Sequence, residues 1–357
     1  MSRPTMPMLR RTPGGAPRCA LLTFLALLLA GSASHGQGAA FPDRLEKYFA
    51  SAGALSASER QQLMAGQPIT KMLDADQSKE VAVLGAIWVG APMKRYVAAV
   101  TDIERFETGT GFNVTRKISA TPRLADFADL RLPADDLDDL ADCRVGDCAI
   151  KLGEGALKRF RSEIDWKSPT AHDAANALMR QLSLGYVTEY LKGGNDTLAV
   201  YRDAADPTYV AREFKDMVDR MPELTNEMPN LRRYLLGYPR VTLPNATSFL
   251  YWQEVEFGLK PTIRISHLTI RETPEDTVVA SKMLYASHYF WTGLEIRALV
   301  PDPSRGEGFW FVTVSRSRTD GLSGFTGRIV RRRVRSGAEQ GVRAGLEHTK
   351  RRLEQAR

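Results

Sequence analysis

Hydrophobic and polar positions change texture three times along the chain. Over residues 41–65 the apolar side chains Leu45, Tyr48, Phe49, Leu55, Leu63 and Met64 are mixed with charges, and Ser56 followed by Glu59 has capping-box spacing, which predicts a helical lead-in. The run KEVAVLGAIWVGAP is apolar, rich in β-branched residues and bounded by Gly90 and Pro92, so a buried strand is predicted over 81–89. Pro92 then opens a helix in which Met93, Tyr96, Val97, Val100, Ile103 and Phe106 recur at intervals of three and four. From about Pro122 to Pro244 the period is helical throughout. One long helix is predicted between Pro169 and Gly193, a second over 209–220 and a third over 231–236.

After Pro244 the chain reads as strands: SFLYWQEVEF, TIRISHLTI, TVVASKMLYASHYFW, GLEIRALV and GFWFVTVSRSR, separated by turn clusters, form an antiparallel meander. The apolar phase slips between Ile265 and Leu268, which predicts a bulge near Ser266 and His267. A glycine-rich loop, TDGLSGFTG, leads to a closing helix over 329–353. Its apolar stripe is Val334, Ala338, Val342, Leu346, Thr349 and Leu353, while its arginines lie largely off that stripe. Gly337, Gly341 and Gly345 recur every four residues beside the stripe, where each costs about 1 kcal/mol relative to alanine. Close packing against a neighbour and the wall of a ligand cavity are the two readings of that ridge. The fold class is α+β.

Composition, 43% apolar and 25% charged over 357 residues, is that of a folded chain and excludes disorder. Cys19 to Ala30 is apolar but only twelve residues long, preceded by Arg10, Arg11 and Arg18 and followed by Gly31, Ser32, Ala33 and Ser34. That order predicts a cleaved secretory signal over residues 1–36, and an exported protein, periplasmic or secreted. Removing its four arginines lowers the net charge from +7 to +3; residues 328–357 alone carry +7, so the basic character belongs to the last helix. No finger, RNP-type or basic-zipper pattern is present, and nucleic acid is not an expected partner.

The mature chain would keep two cysteines, Cys143 and Cys148, in CRVGDC. A disulfide is the natural reading; a redox site more often separates its cysteines by two residues, and a metal needs further ligands at suitable spacing. The acidic stretch PADDLDDLADC does not follow the EF-hand order and reads as a capped turn or short helix. GTG at Gly109 lacks the third glycine of a dinucleotide loop, and GLSG at Gly321 is not a nucleophile elbow. His267 and His288 are the histidines expected on strands, and with Glu254 and Glu256 they offer acid–base or metal chemistry on paper, though without ligand spacing hydrogen-bonded structural histidines are the simpler reading.

An early strand, a helix, inserted helices, an antiparallel meander and one long C-terminal helix follow in the order of the START-like helix-grip superfamily, which includes lipid-transfer and polyketide cyclase-like proteins. The chain resembles it in VAVLGAIWVGAP leading into its helix, in the meander from Ser248 to Arg318, and in the closing helix. ASKMLYASHYF and SRSRTDGLSGF are similar to an exported bacterial branch. The resemblance implies one domain over 37–357, with a helical insertion at about 122–244 and a gripping helix at 328–354. It also implies a cavity between sheet and helix for a lipid or other apolar small molecule. Trp252, Tyr285, His288, Tyr289, Trp291 and Trp310 on the strands and Gly341 on the helix are the expected ligand-binding positions, with Tyr285, Tyr289 and Trp291 sharing parity if their strand runs unbroken. Arg331, Arg332, Arg333 and Arg335 are the expected contacts to an anionic membrane surface, against the alternative of a solvated face. A cyclase- or hydrolase-like enzyme in the same cavity and a cavity-free envelope module are the alternatives. No cofactor or metal is expected, and a monomer is.

Overall fold

Glu80–Val89 is apolar at nearly every position because the sheet that it joins is covered on both faces. The computed structural model describes residues 40–109, 111–256, 260–322 and 327–355. The expected signal over residues 1–36, Thr110, Phe257 and the Ser323–Thr326 part of the glycine-rich loop lie outside them. Helices α1 (Asp43–Ala52) and α2 (Ala57–Met64) precede strands β1 (Ile69–Met72) and β2 (Glu80–Val89), then α3 (Met93–Thr101), α4 (Ile103–Phe106) and β3 (Phe112–Lys117). The helical block holds α5 (Ala134–Asp142), α6 (Glu154–Glu163), α7 (Ala171–Gly193), the short pair β4 (Val200–Tyr201) and β5 (Thr208–Tyr209), α8 (Val210–Val218), α9 (Pro222–Asn226) and α10 (Pro229–Gly237). The meander is β6 (Ala246–Val255), β7 (Thr262–Glu272), β8 (Thr277–Ala286), β9 (Phe290–Pro301) and β10 (Phe309–Thr319), closed by α11 (Gly327–Gln355).

Eight strands make one curved antiparallel sheet in the order β1-β2-β10-β9-β8-β7-β6-β3, so α3 and α4 carry the chain from one side of the sheet to its far edge. On one face Ile87, Val89, Phe309 and Phe311 pack with Tyr96 and Val100 of α3 and Leu346 and Leu353 of α11. On the other, Leu84, Trp310 and Val312 pack with Phe49 of α1 and Phe214 of α8, while Trp252, Ile265 and Tyr285 pack with Met179 and Val187 of α7. Phe41–Arg357 forms one compact unit, the helical block included. The chain is α+β with a helix-grip arrangement of sheet and last helix.

Local chemistry sets the element ends. The capping box at α2 is formed: the Ser56 hydroxyl accepts from the Glu59 N–H at 3.2 Å, and the Glu59 carboxylate accepts from the Ser56 N–H at 2.7 Å. The bulge predicted near Ser266 and His267 lies on the neighbouring strand: the β7–β8 register shifts between Ile265 and Ser266 because Leu284 of β8 is the extra residue, while β7 pairs with β6 without interruption. The predicted helix over Met93–Phe106 breaks at Asp102, whose ψ of 61° is not helical.

Two expectations are overturned. ASHYFW is not one strand: β8 stops at Ala286 and β9 starts at Phe290, with Tyr289 at φ 58° in the turn between, so Tyr285, Tyr289 and Trp291 share no parity. The glycine ridge of α11 neither packs closely nor walls a cavity. Gly337, Gly341 and Gly345 are exposed, and a Cβ on any of them would meet nothing within 4 Å. Close approach is instead made possible by the strand: at Gly85 of β2 a Cβ would stand 2.5 Å from Val342 Cγ1 and 3.0 Å from Leu346 Cδ1, so α11 lies directly on β2 along this seam.

Candidate functional site

An apolar cavity of about 250 Å³ lies on the sheet face opposite α11, between α7 and the strands. Leu152, Gly153 and Ala156 form one wall and Met179, Leu182, Ser183 and Tyr186 of α7 a second; Thr197, Ala199, Val200 and Tyr201 close a third, over a floor of Ile265 and Tyr285. Val200 is itself exposed. Three tyrosines meet here, with the rings of Tyr186 and Tyr201 edge-on to that of Tyr285 at 6.3 and 6.2 Å. The Tyr186 hydroxyl donates to the Leu284 carbonyl at 2.6 Å, and the Tyr201 hydroxyl accepts from the Ala286 N–H at 3.3 Å. Burial raises the pKa of all three phenols, which keeps them neutral donors.

Two polar atoms of the lining have no partner among the described residues: the Tyr285 hydroxyl and the Ser183 hydroxyl, on residues 6% and 3% exposed. A buried hydroxyl left unsatisfied costs about 1–3 kcal/mol. A guest bearing one hydrogen-bonding group would recover that energy, and the rest of the wall suits an apolar body.

Local structure explains why the cavity exists. Gly194 ends α7 at φ 60°, and a Cβ there would collide with the Tyr238 carbonyl, so only glycine permits the turn. The 3-10 turn Gly194–Thr197 then directs Thr197 to the cavity and Asn195 to the Leu235 and Leu236 carbonyls at 3.0 and 2.9 Å. The Leu152–Gly153 wall follows the Cys143–Cys148 disulfide, and the neighbouring Lys151 N–H donates to the Ser287 carbonyl at 2.8 Å.

Of the residues singled out from the sequence, only Tyr285 lines this cavity. Trp252 is buried beneath the helical block, its indole N–H donating to the Asp126 carbonyl at 2.8 Å. Trp310 is buried between the rings of Phe41 and Trp88, each 5.1 Å away, and donates to the Asp302 carboxylate at 3.0 Å. His288 is held on both ring nitrogens, 2.8 Å from Asp136 Oδ2 and 3.2 Å from the Ala149 carbonyl. The Tyr289 hydroxyl accepts from the Lys260 N–H at 3.0 Å, Trp291 is half-buried at the start of β9, and Gly341 faces open space. These positions therefore do not converge on one ligand. Arg332 and Arg333 are exposed, while Arg331 and Arg335 are half-buried.

The acid–base set drawn on paper is also dispersed. His267 pairs with Tyr190, His288 with Asp136 and Glu254 with Asn113, and Glu256 is exposed. Among the described residues no group of three or more His, Cys, Asp or Glu side chains is set to hold a metal ion, and no helix is long and apolar enough to cross a membrane.

A buried polar chain was not anticipated. Lys282 of β8, buried with no carboxylate in ion-pair range among the described residues, donates to the Asn195 side-chain oxygen and to the Tyr190 hydroxyl, the latter at 3.4 Å. Tyr190 reaches His267 Nδ1 at 2.9 Å, and His267 Nε2 lies 3.5 Å from the Tyr234 hydroxyl. Burial pushes Lys282 down to about 7; burial, and then the Lys282 charge, pushes His267 down to about 3. The signal was present in TVVASKMLY, where Lys282 stands in the inward phase of Val278 and Ala280.

Comparison of the chain with protein-family models, curated proteins and solved structures found no match.

Proposed function

We propose that this protein binds an apolar small molecule carrying one hydrogen-bonding group, in the cavity between α7 and the sheet, and that it does so as an exported protein. The observation that carries the reading is the pair of unsatisfied hydroxyls, Tyr285 and Ser183, in an otherwise apolar wall. About 250 Å³ is at the small end of ligand sites, suited to one or two rings or a single short acyl chain and too small for a two-chain lipid. The disulfide is compatible with export. The order of sheet and last helix supports a START-like kinship, but the guest is assigned to the opposite face, because α11 is seated directly on β2 at Gly85.

The test pairs native mass spectrometry of the purified protein with titration by 2-naphthol and by naphthalene. Naphthol should bind, and Tyr285→Phe or Ser183→Ala should weaken it roughly 2- to 12-fold, the worth of one hydrogen bond, while leaving naphthalene unaffected. A protein that carries no guest and binds neither probe overturns the reading, as does naphthol binding indifferent to both substitutions.

A further inference from the structure

We infer that the first turns of α11 form a docking surface for an anionic lipid bilayer. Ile329 is 71% exposed and Val330 38%, among the few large aliphatic side chains left in solvent. Arg331, Arg332, Arg333 and Arg335 follow within two turns, and no acidic residue lies in the first turn of this helix. Among the described residues none of the four arginines has a carboxylate in ion-pair range; Arg331 reaches only the Gln77 carbonyl, at 3.4 Å. The next turns bring Glu339, which approaches Thr70 on the β1 side and not the arginines.

Four arginines within five positions concentrate positive charge on one short stretch of helix, and like charges at this spacing repel one another. Four uncompensated cations there are stabilised by an external polyanion. The two adjacent aliphatics choose between polyanions: a hydrated nucleic acid offers them nothing, whereas at a bilayer they enter the acyl boundary while the arginines remain at headgroup level. Arg332 and Arg333 are exposed and available, and the opposite side of α11 is occupied by its packing on β1 and β2. This surface is separate from the α7 cavity, so the two assignments stand or fall independently.

The experiment uses Phe41–Arg357, the compact unit that contains the whole sheet and all the cores. Co-sedimentation is measured with vesicles of phosphatidylglycerol and phosphatidylethanolamine, with phosphatidylcholine vesicles alone, and with a DNA oligonucleotide. Binding should require phosphatidylglycerol and weaken with salt. The double variant R332Q/R333Q should lose about 30-fold, at roughly fivefold per basic residue, and I329S/V330S on the order of tenfold. Both variants alter exposed positions, and an unchanged circular dichroism spectrum and melting temperature would show that each is folded. Equal binding to phosphatidylcholine overturns the inference. So does tighter binding to DNA, or vesicle binding that I329S/V330S leaves unchanged, since either outcome would indicate a purely electrostatic partner.

Discussion

Lys282 shows how one residue ties the helical block to the sheet. Its ammonium group is donated to Asn195 and Tyr190 and lies over the rings of Phe214 and Tyr190 at 4.4 and 5.1 Å, so it touches three helical segments from a single strand position. Burial holds its folded-state pKa near 7, below the value of about 10.4 in an unfolded chain. Between these values the unfolded state binds the proton that the folded state lacks. Its contribution to stability is therefore complete above the unfolded value and is lost as pH falls towards 7. Urea denaturation should show stability rising from pH 7 to pH 9, before ionisation of the buried tyrosines reverses the trend. Lys282→Met should remove that slope and be more stable at pH 7, on the order of 2 kcal/mol after allowing for the lost hydrogen bond to Asn195. A variant that keeps the slope would show that another group titrates. In the sequence Lys282 shows only as a polar residue in the inward phase of its strand, and nothing there pairs Ser183 with Tyr285. A lone lysine or serine in an apolar phase is visible, but which hydroxyl lacks a partner depends on neighbours more than eighty residues away, such as Tyr201 beside Tyr285.

At the scale of elements, the α11–β2 seam separates two kinds of glycine that look alike in the sequence. Gly341 stands in a helix with empty space where its side chain would go, so it contributes only backbone freedom. Gly341→Ala should therefore stabilise by about 1 kcal/mol, the helix propensity difference. Gly85 sits under Val342 and Leu346, and Gly85→Ala should cost about 1–3 kcal/mol by overpacking the seam. Chemical denaturation of the two single variants checks both signs. If both destabilise, the ridge packs against something and its exposure has been misread. Elements themselves were largely legible: the capping box at Ser56, Pro92 opening α3 and the closing helix all follow from local chemistry, whereas the bulge read on β7 is carried by Leu284 of β8. The turn at Ser287–Tyr289 was not, because SHY contains no glycine or proline and Tyr289 adopts a positive φ against its own preference. That one missed turn is what placed Tyr285 and Trp291 together in error.

For the whole molecule, the consequential feature is that both faces of the sheet are covered, one by α3 and α11 and the other by α1 and the helical block. The unbroken apolar texture of Glu80–Val89 already indicated two-sided burial. What pattern alone did not settle was whether residues 122–244 formed a separate lobe, since helical periodicity gives an apolar face without saying what covers it. The block has no core of its own: Trp252, Ile263, Ile265 and Leu284 of the sheet share one cluster with Phe160, Met179 and Val187 of its helices. Lys282 and the Trp252–Asp126 hydrogen bond cross the same boundary. Separating block from sheet would expose that cluster at roughly 25 cal/mol per Å² of apolar surface, and would leave a buried amine and an indole N–H without partners. The two parts should therefore unfold together. Variants of Phe41–Arg357 retaining only Trp166, in the block, or only Trp310, on β10, give independent fluorescence reporters of the two regions. Their urea transitions should share a midpoint and slope within the spread caused by the substitutions, and a far-ultraviolet transition recorded on the same samples should overlay both. A Trp166 transition at clearly lower urea would mean that the block releases first, and the cavity between α7 and the sheet would then be a gap that opens by local unfolding, without the fixed walls that ligand binding requires.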